Sequence, residues 1–240
     1  MYNIIMQQYF IDYVLEVGTS IKLRDDILYH LTKVLRSTNK SFRLVDTNSN
    51  IFLAELSGNC ASIIKQINEN NELDTDITVI MSLIKQDKFE LTLQKLTELG
   101  VNRIIPYNAK RSIVKETKTE KKLERYKKIL TEASEQSHRN KIPEILPAID
   151  LNDIKKYKSE LNIIAYEKDD NIITSYKSKS ITIIIGPEGG FDEDELNRII
   201  SFGFNSVSLG KRILRAETAA IYLTSLIVGS NSWKAFRWWC

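Results

Sequence analysis

From residue 77 onward, apolar runs of strand length alternate with stretches whose apolar residues recur at helical spacing. Ile77–Leu83, Val101–Pro106, Leu161–Tyr166 and Ile181–Ile185 are nearly continuous runs without a polar alternate face, the pattern of strands buried on both sides. Between them, Phe89, Leu93, Leu96 and Leu99 mark one face of a helix over Lys88–Leu99, and Gly100 stands where a C′ residue belongs. A second, basic helix is predicted over Lys118–Gln136. Strand–helix alternation leaves few solutions. The strands must lie parallel, with helices on both faces of the sheet, so the pattern predicts an α/β doubly wound domain.

The first seventy residues follow another rhythm. Tyr9–Leu15, Phe42–Val45 and Ile51–Leu56 read as short strands separated by Asn, Ser, Thr and Asp. Between the first two lies DDILYHLTKVLRS, where Ile27, Leu28, Leu31, Val34 and Leu35 recur at helical spacing behind Asp25 and Asp26. Short strands with one short helix predict a small β-barrel. The polar run from Asn68 to Thr75 reads as a linker. The expected division is therefore a β-barrel over residues 1–72 and the α/β domain over 73–240.

Charge is unevenly distributed. Net charge is only +3, yet residues 85–141 hold fifteen Lys/Arg against eight Asp/Glu. Such a stretch is the footprint of a polyanion-facing surface; the plain alternative is a solvated lysine-rich helix. Cys60 and Cys240 are the only cysteines and His30 and His138 the only histidines, so no metal-ligand spacing is present and no metal is expected. The N-terminus lacks the pattern of a signal peptide, and the longest apolar stretch, near Ala219–Val228, is too short for a bilayer span. No membrane association and a cytoplasmic location are expected.

The chemistry concentrates between residues 181 and 219. An apolar run enters Gly186-Pro-Glu-Gly-Gly190, a helix follows, then a short strand, then a basic loop ending Leu214-Arg-Ala-Glu-Thr218 before an apolar helix. Asp192 fits an N-cap, Glu195 completes a capping box, Phe191 and Leu196 form a hydrophobic staple, and Gly203 ends the helix. The glycines of 186–190 must then form the strand-to-helix turn, where backbone can approach a ligand closely. Neither GxGxxG nor a P-loop is present. Loops at strand ends of an open α/β sheet are where ligands bind.

These motifs resemble a known family. LGKRILRAETAA is similar to the cofactor loop of the SPOUT methyltransferases. IGPEGGFDEDEL, QKLTELGV at 94–101 and EASEQSHRNKIPEI at 132–145 resemble the RsmE-type uracil-N3 methyltransferases of 16S ribosomal RNA, and HLTKVLR at 30–36 resembles that family's RNA-binding module. The likeness covers nearly the whole chain in order. It implies a PUA-like N-terminal barrel and a C-terminal domain with a deep trefoil knot. It implies S-adenosylmethionine as methyl donor, N3 of a uridine in 16S ribosomal RNA of the small subunit as acceptor, and a homodimer.

Carried onto this chain, the likeness makes Gly186, Glu188 and Gly189 one wall of a cofactor pocket and Leu209, Gly210, Ile213 and Leu214 the other. Tyr166 and Glu167 border it, with Glu217 and Thr218 beside them. Glu188 either faces the sulfonium or is a helix-end carboxylate stabilised by the dipole. Arg215 is the expected catalytic residue, because a fixed guanidinium stabilises the charge that uridine N3 spreads onto its two carbonyl oxygens. The alternative pairs it with Glu217 in a salt bridge. Lys33, Arg36, Lys110, Arg111 and Arg139 are candidates for RNA contact, the alternatives being plain surface charges and, for Arg139, a cation at a helix C-terminus. Two other functions fit the same residues: an idle RNA-binding protein of this fold, and a SPOUT enzyme acting on another RNA such as tRNA. The intact glycine turn and LRAET favour a working enzyme, since a binder needs no cofactor pocket.

Overall fold

A computed structural model describes residues 6–34, 41–115, 120–171 and 175–231. The chain forms two compact units. One is Met1–Asn71 with Ser134–Lys141, and the other is Glu72–Ala133 with Ile142–Cys240.

The first unit holds β1 (Gln8–Phe10), β2 (Ser20–Lys22), β3 (Ser41–Val45), β4 (Ile51–Ser57) and β5 (Cys60–Ile67). They form one sheet in the order β1-β3-β4-β5-β2, in which only β1 and β3 run parallel. The strand expected over Tyr9–Leu15 is confined to three residues, and β2 and β5 were not foreseen. Strand β5 alternates buried Ala61 and Ile63 with half-buried Cys60 and Ser62 only over its first half, so its sequence carries a weak period-2 signal. Helix α1 (Asp25–Tyr29) runs into a π-helical turn, His30–Val34, and buries Ile27 against Tyr9, Phe42, Leu44 and Ile63.

Ser134–Lys141 is joined to the rest of this unit by hydrogen bonds between side chains and backbone. Gln8 Nε2 donates to the Arg139 carbonyl at 2.7 Å, Glu135 Oε1 accepts the Phe10 amide at 3.2 Å, and Asn140 Nδ2 donates to the Glu69 carbonyl at 2.9 Å.

The second unit holds β6 (Asp76–Ser82), β7 (Arg103–Tyr107), β8 (Glu144–Ile145), β9 (Leu161–Ala165), β10 (Ser180–Ile185) and β11 (Asn205–Val207). All six strands are parallel, in the order β11-β9-β10-β6-β7-β8. Helices α2 (Gln86–Glu98), α3 (Glu120–Gln136), α4 (Glu193–Ser201) and α5 (Ala216–Asn231) complete the alternation. The parallel, doubly wound expectation is met: two cores lie on opposite faces. Ile181, Ile183 and Ile185 pack with Phe89, Leu93, Leu223 and Ile227 on one face, and Ile184 packs with Ile105, Leu196 and Ile199 on the other. Alternate residues of one buried strand thus feed two cores, which is why β10 has no polar face. Gly100 and Gly203 end α2 and α4 at φ of 91° and 93°, in the left-handed region.

Candidate functional site

Four parallel strands end at one crevice. The loops that leave the carboxyl ends of β6, β9, β10 and β11 line a cleft of about 810 Å³, within the size range of small-molecule sites. Strand β10 lies between β6 and β9, so its glycine turn sits at the middle of that edge.

The turn is shaped by close contacts. The Gly190 amide donates to the Pro187 carbonyl at 3.0 Å. A Cβ on Gly186 would lie 2.8 Å from the Phe191 ring, and one on Gly190, whose φ is 66°, would lie 3.1 Å from Glu167 Oε1. A side chain at Gly186 has no room, and at Gly190 the left-handed φ disfavours one, so glycine backbone lines the cleft at both. On the other wall, Leu209 packs onto the core while Ile213 is 87% exposed. The Tyr166 amide donates to the Val207 carbonyl at 2.9 Å, which joins the loops after β9 and β11.

Of the residues expected at a cofactor pocket, Tyr166, Glu167, Gly186, Glu188, Gly189, Leu209, Gly210, Ile213, Leu214 and Glu217 all line this cleft, and so does Arg215. Thr218 does not; it is exposed on the first turn of α5, next to buried Glu217. Lys85, Asp87, Lys88, Ile113 and Arg212 line the cleft and were not singled out from sequence. The first three follow β6, and only the strand order reveals that this loop shares the crevice with β10.

The carboxylates choose partners that local rules do not predict. Glu188 Oε1 accepts the Lys85 amide at 3.4 Å, so it is a helix-end carboxylate, at the N-terminus of α2 rather than of its own helix. Glu217 does not pair with Arg215; its described ion pair is with Lys88, Nζ to Oε1 at 3.9 Å. The expected capping box is also absent. Asp192 occupies the N-cap backbone position but makes no side-chain cap bond. It accepts from Lys110 Nζ at 2.7 Å and lies 3.5 Å from Arg111 Nη2. The bond from Lys110 holds the Asp192 carboxyl below the usual carboxylate range and raises the lysine in turn. Glu195 turns inward instead, accepting from the Tyr107 hydroxyl and from the Lys110 amide at 2.9 Å.

The candidates for RNA contact divide. Lys33, Lys110 and Arg111 are exposed, although the last two are tied to Asp192. Arg139 is only 3% exposed, in the first unit, because the turn after α3 folds it inward; its guanidinium is not offered to a ligand in this conformation. Arg36 lies outside the described residues.

Comparison with known proteins gives the site its context. The family model for the RNA methyltransferase domain matches residues 71–228. The ribosomal RNA small subunit methyltransferase E of Mesomycoplasma hyopneumoniae is 38% identical over 207 residues, 82% of this chain and 91% of that one. The protein of the same name from Bacillus subtilis is 32% identical, covering 92% and 96%.

The chain belongs to the ribosomal RNA small subunit methyltransferase E family.

Solved structures agree with that membership. The family's Neisseria gonorrhoeae protein, bound to S-adenosyl methionine, superposes with a TM-score of 0.83 at 33% identity, covering 92% of this chain and 96% of that one. A methyltransferase from Legionella pneumophila, in complex with the same cofactor, gives 0.85 at 28% identity, covering 93% and 97%. Among the described residues, no helix is long and apolar enough to cross a membrane.

Proposed function

We propose that this chain methylates N3 of a uridine in 16S ribosomal RNA of the small subunit, using S-adenosylmethionine. One observation carries the reading: the glycine turn after β10 and the Leu209–Arg215 loop, separated in sequence by α4 and β11, face each other across one cleft. The residues present fit the cofactor. Gly186, crowded by the Phe191 ring, and Gly190, at a left-handed φ, line the cleft with backbone groups that can read an adenine edge. Leu209 and Leu214 offer apolar contact, and Glu167 lines the same cleft with a carboxylate that suits a cationic sulfonium, while Glu188 is engaged at the N-terminus of α2. When bound, S-adenosylmethionine supplies an electrophilic methyl group whose sulfur leaves as a neutral thioether.

The protein's part is positioning and electrostatics. Uridine N3 gives up its proton to solvent while its electron pair forms the new bond to carbon. Negative charge gathers on O2 and O4 in that transition. Arg215 lines the cleft, is exposed, and makes no side-chain hydrogen bond or ion pair among the described residues. Its guanidinium is available to hold the uracil and stabilise that charge.

The finer architecture is part of the same reading. Residues 1–72 serve as a PUA-like RNA-binding barrel, in which Lys33 contributes phosphate contact, and the five-stranded sheet is its wall. Residues 73–240 are the catalytic domain, with Ser134–Lys141 serving the first unit. The catalytic domain is knotted at its C-terminal segment and works as a homodimer in the cytoplasm; the likeness of LGKRILRAETAA to SPOUT cofactor loops supports this.

Mapping methylated uridines in ribosomal RNA from cells with and without the gene tests the reaction. The expected result is one N3-methyluridine of the small subunit that disappears with the gene. An unchanged methylation map, or no heat of binding with millimolar S-adenosylmethionine, would overturn it.

A further inference from the structure

Lys88 adds another cation to the cleft that holds Arg215. It stands in the first turn of α2, half-buried, and lines the same cleft as Arg215. Its described ion partner is Glu217, a carboxylate only 8% exposed in the first turn of α5. At 3.9 Å the contact is too long for a hydrogen bond. Among the described residues the Lys88 ammonium donates no hydrogen bond at all. The carboxylate holds the charge in place while leaving its three N–H groups unspent.

The other charged groups lining the cleft are differently disposed. Lys85 and Arg212 are exposed, like Arg215, and among the described residues no ion pair holds either of them. Asp87, Glu167 and Glu188 are negative and would repel a developing anion. Among the described charged residues lining the cleft, only Lys88 combines partial burial with a buried counter-ion. Glu217 lies two residues beyond Arg215, so one short segment presents the guanidinium and anchors the ammonium. A cation fixed in advance stabilises charge without reorganising during the reaction, and it does so more strongly away from bulk water.

We propose that Lys88 is the second cation of the methyl-transfer site, held by Glu217 so that its ammonium and the Arg215 guanidinium together neutralise the charge that spreads onto the two uracil carbonyl oxygens. This rests on the uridine-N3 reading above. In the step, the N3–H bond breaks with its proton passing to solvent, the N3–carbon bond forms, and the carbon–sulfur bond breaks with its electron pair staying on sulfur. Lys88 forms and breaks no covalent bond; it offers N–H groups to an oxygen whose charge rises. Glu217 is a positioning residue and touches no reacting atom.

Lys88→Met, close in volume, tests the inference in the full-length protein with small-subunit RNA. Expected is a loss of roughly 10²–10³ in kcat, with cofactor affinity by calorimetry within twofold of the parent. The pH–rate profile should also move, because with one cation fewer the rate must keep rising to higher pH before N3 ionises fully. Lys88→Arg should restore part of the rate, and Glu217→Gln should lower kcat while leaving Lys88 present. A Lys88→Met rate within twofold of the parent would overturn the inference, as would a lowered rate with unshifted pH profile and equally weakened cofactor binding. If the unaltered protein methylates an atom other than uridine N3, the functional reading itself fails; N3 transfer with an unimpaired Lys88→Met defeats the second-cation role alone.

Discussion

Tyr107, at the end of β7, donates its hydroxyl hydrogen to the Glu195 carboxylate of α4, and both side chains are buried. The same Oε1 takes the Lys110 amide, while Oε2 has no described partner. One carboxylate thus ties the loop after β7 to the helix that follows the glycine turn. Burial, reinforced by Glu195, raises the Tyr107 hydroxyl above its ordinary value.

The unfolded chain ionises this tyrosine near pH 10, and the native protein resists doing so. The contribution is therefore complete below about pH 10 and falls as pH rises further. Tyr107→Phe should cost about 1–3 kcal/mol at neutral pH, because a buried carboxylate loses a donor. It should also flatten part of the alkaline loss of melting temperature; Tyr9, raised by burial as well, keeps its own share. Thermal denaturation between neutral pH and pH 11 measures both, and an unchanged alkaline slope would count against the link.

Arg215→Ala is expected to bind S-adenosylmethionine normally yet lose roughly 10²–10³ in methyl transfer. Arg215 lies beside the cleft, but no described ion pair depends on it, so the fold should be untouched. Near-parental turnover would remove it from the reaction. Calorimetry and single-turnover kinetics separate the two effects.

Gly186→Ala places a methyl group 2.8 Å from the Phe191 ring. The ring belongs to a packed core, so the turn must shift. A destabilisation of roughly 1–3 kcal/mol is expected, with weakened cofactor binding because the same backbone faces the cleft. Adding Phe191→Leu should recover part of the stability. A single variant as stable as the parent, with full cofactor affinity, would show that the turn adapts freely.

Lys110 and Arg111 are exposed cations held by Asp192. If they meet RNA phosphates, each alanine variant should weaken RNA binding and reduce the salt dependence by about one charge. Asp192→Ala should act in the opposite direction, tightening RNA binding at low salt by freeing both. Fluorescence anisotropy over a salt series distinguishes these outcomes. Unchanged slopes would assign the three residues to the anchoring of α4 alone.

The second unit was largely legible before its structure, and particular residues show why. Ile181–Ile185 is β-branched and has no polar face, so it could only be an interior strand. Phe89, Leu93 and Leu96 recur along one helical face, and Gly100 and Gly203 stand where a helix must stop. These are local signals, encoded within a turn or two of chain. Strand β5 was missed because its exposed second half, Ile64 to Gln66, breaks the alternation; pairing with β4 stabilises it instead. The cap at Asp192 was legible as a position but not as a bond. Lys110 and Arg111, distant in sequence, compete for its carboxylate and win.

By itself the sequence determined that a parallel sheet would form and that a glycine-rich turn would join β10 to α4. Glycines and apolar neighbours act on the chain where they stand. Tertiary structure alone decided which loops meet. Placing β10 between β6 and β9 brings the first turn of α2 to the crevice, and with it Lys88 to Glu217 rather than Arg215 to Glu217. It also folded Arg139 inward beside Gln8. Periodicity reports which face of an element is buried, not which distant element buries it; charged partners are chosen by strand order and register.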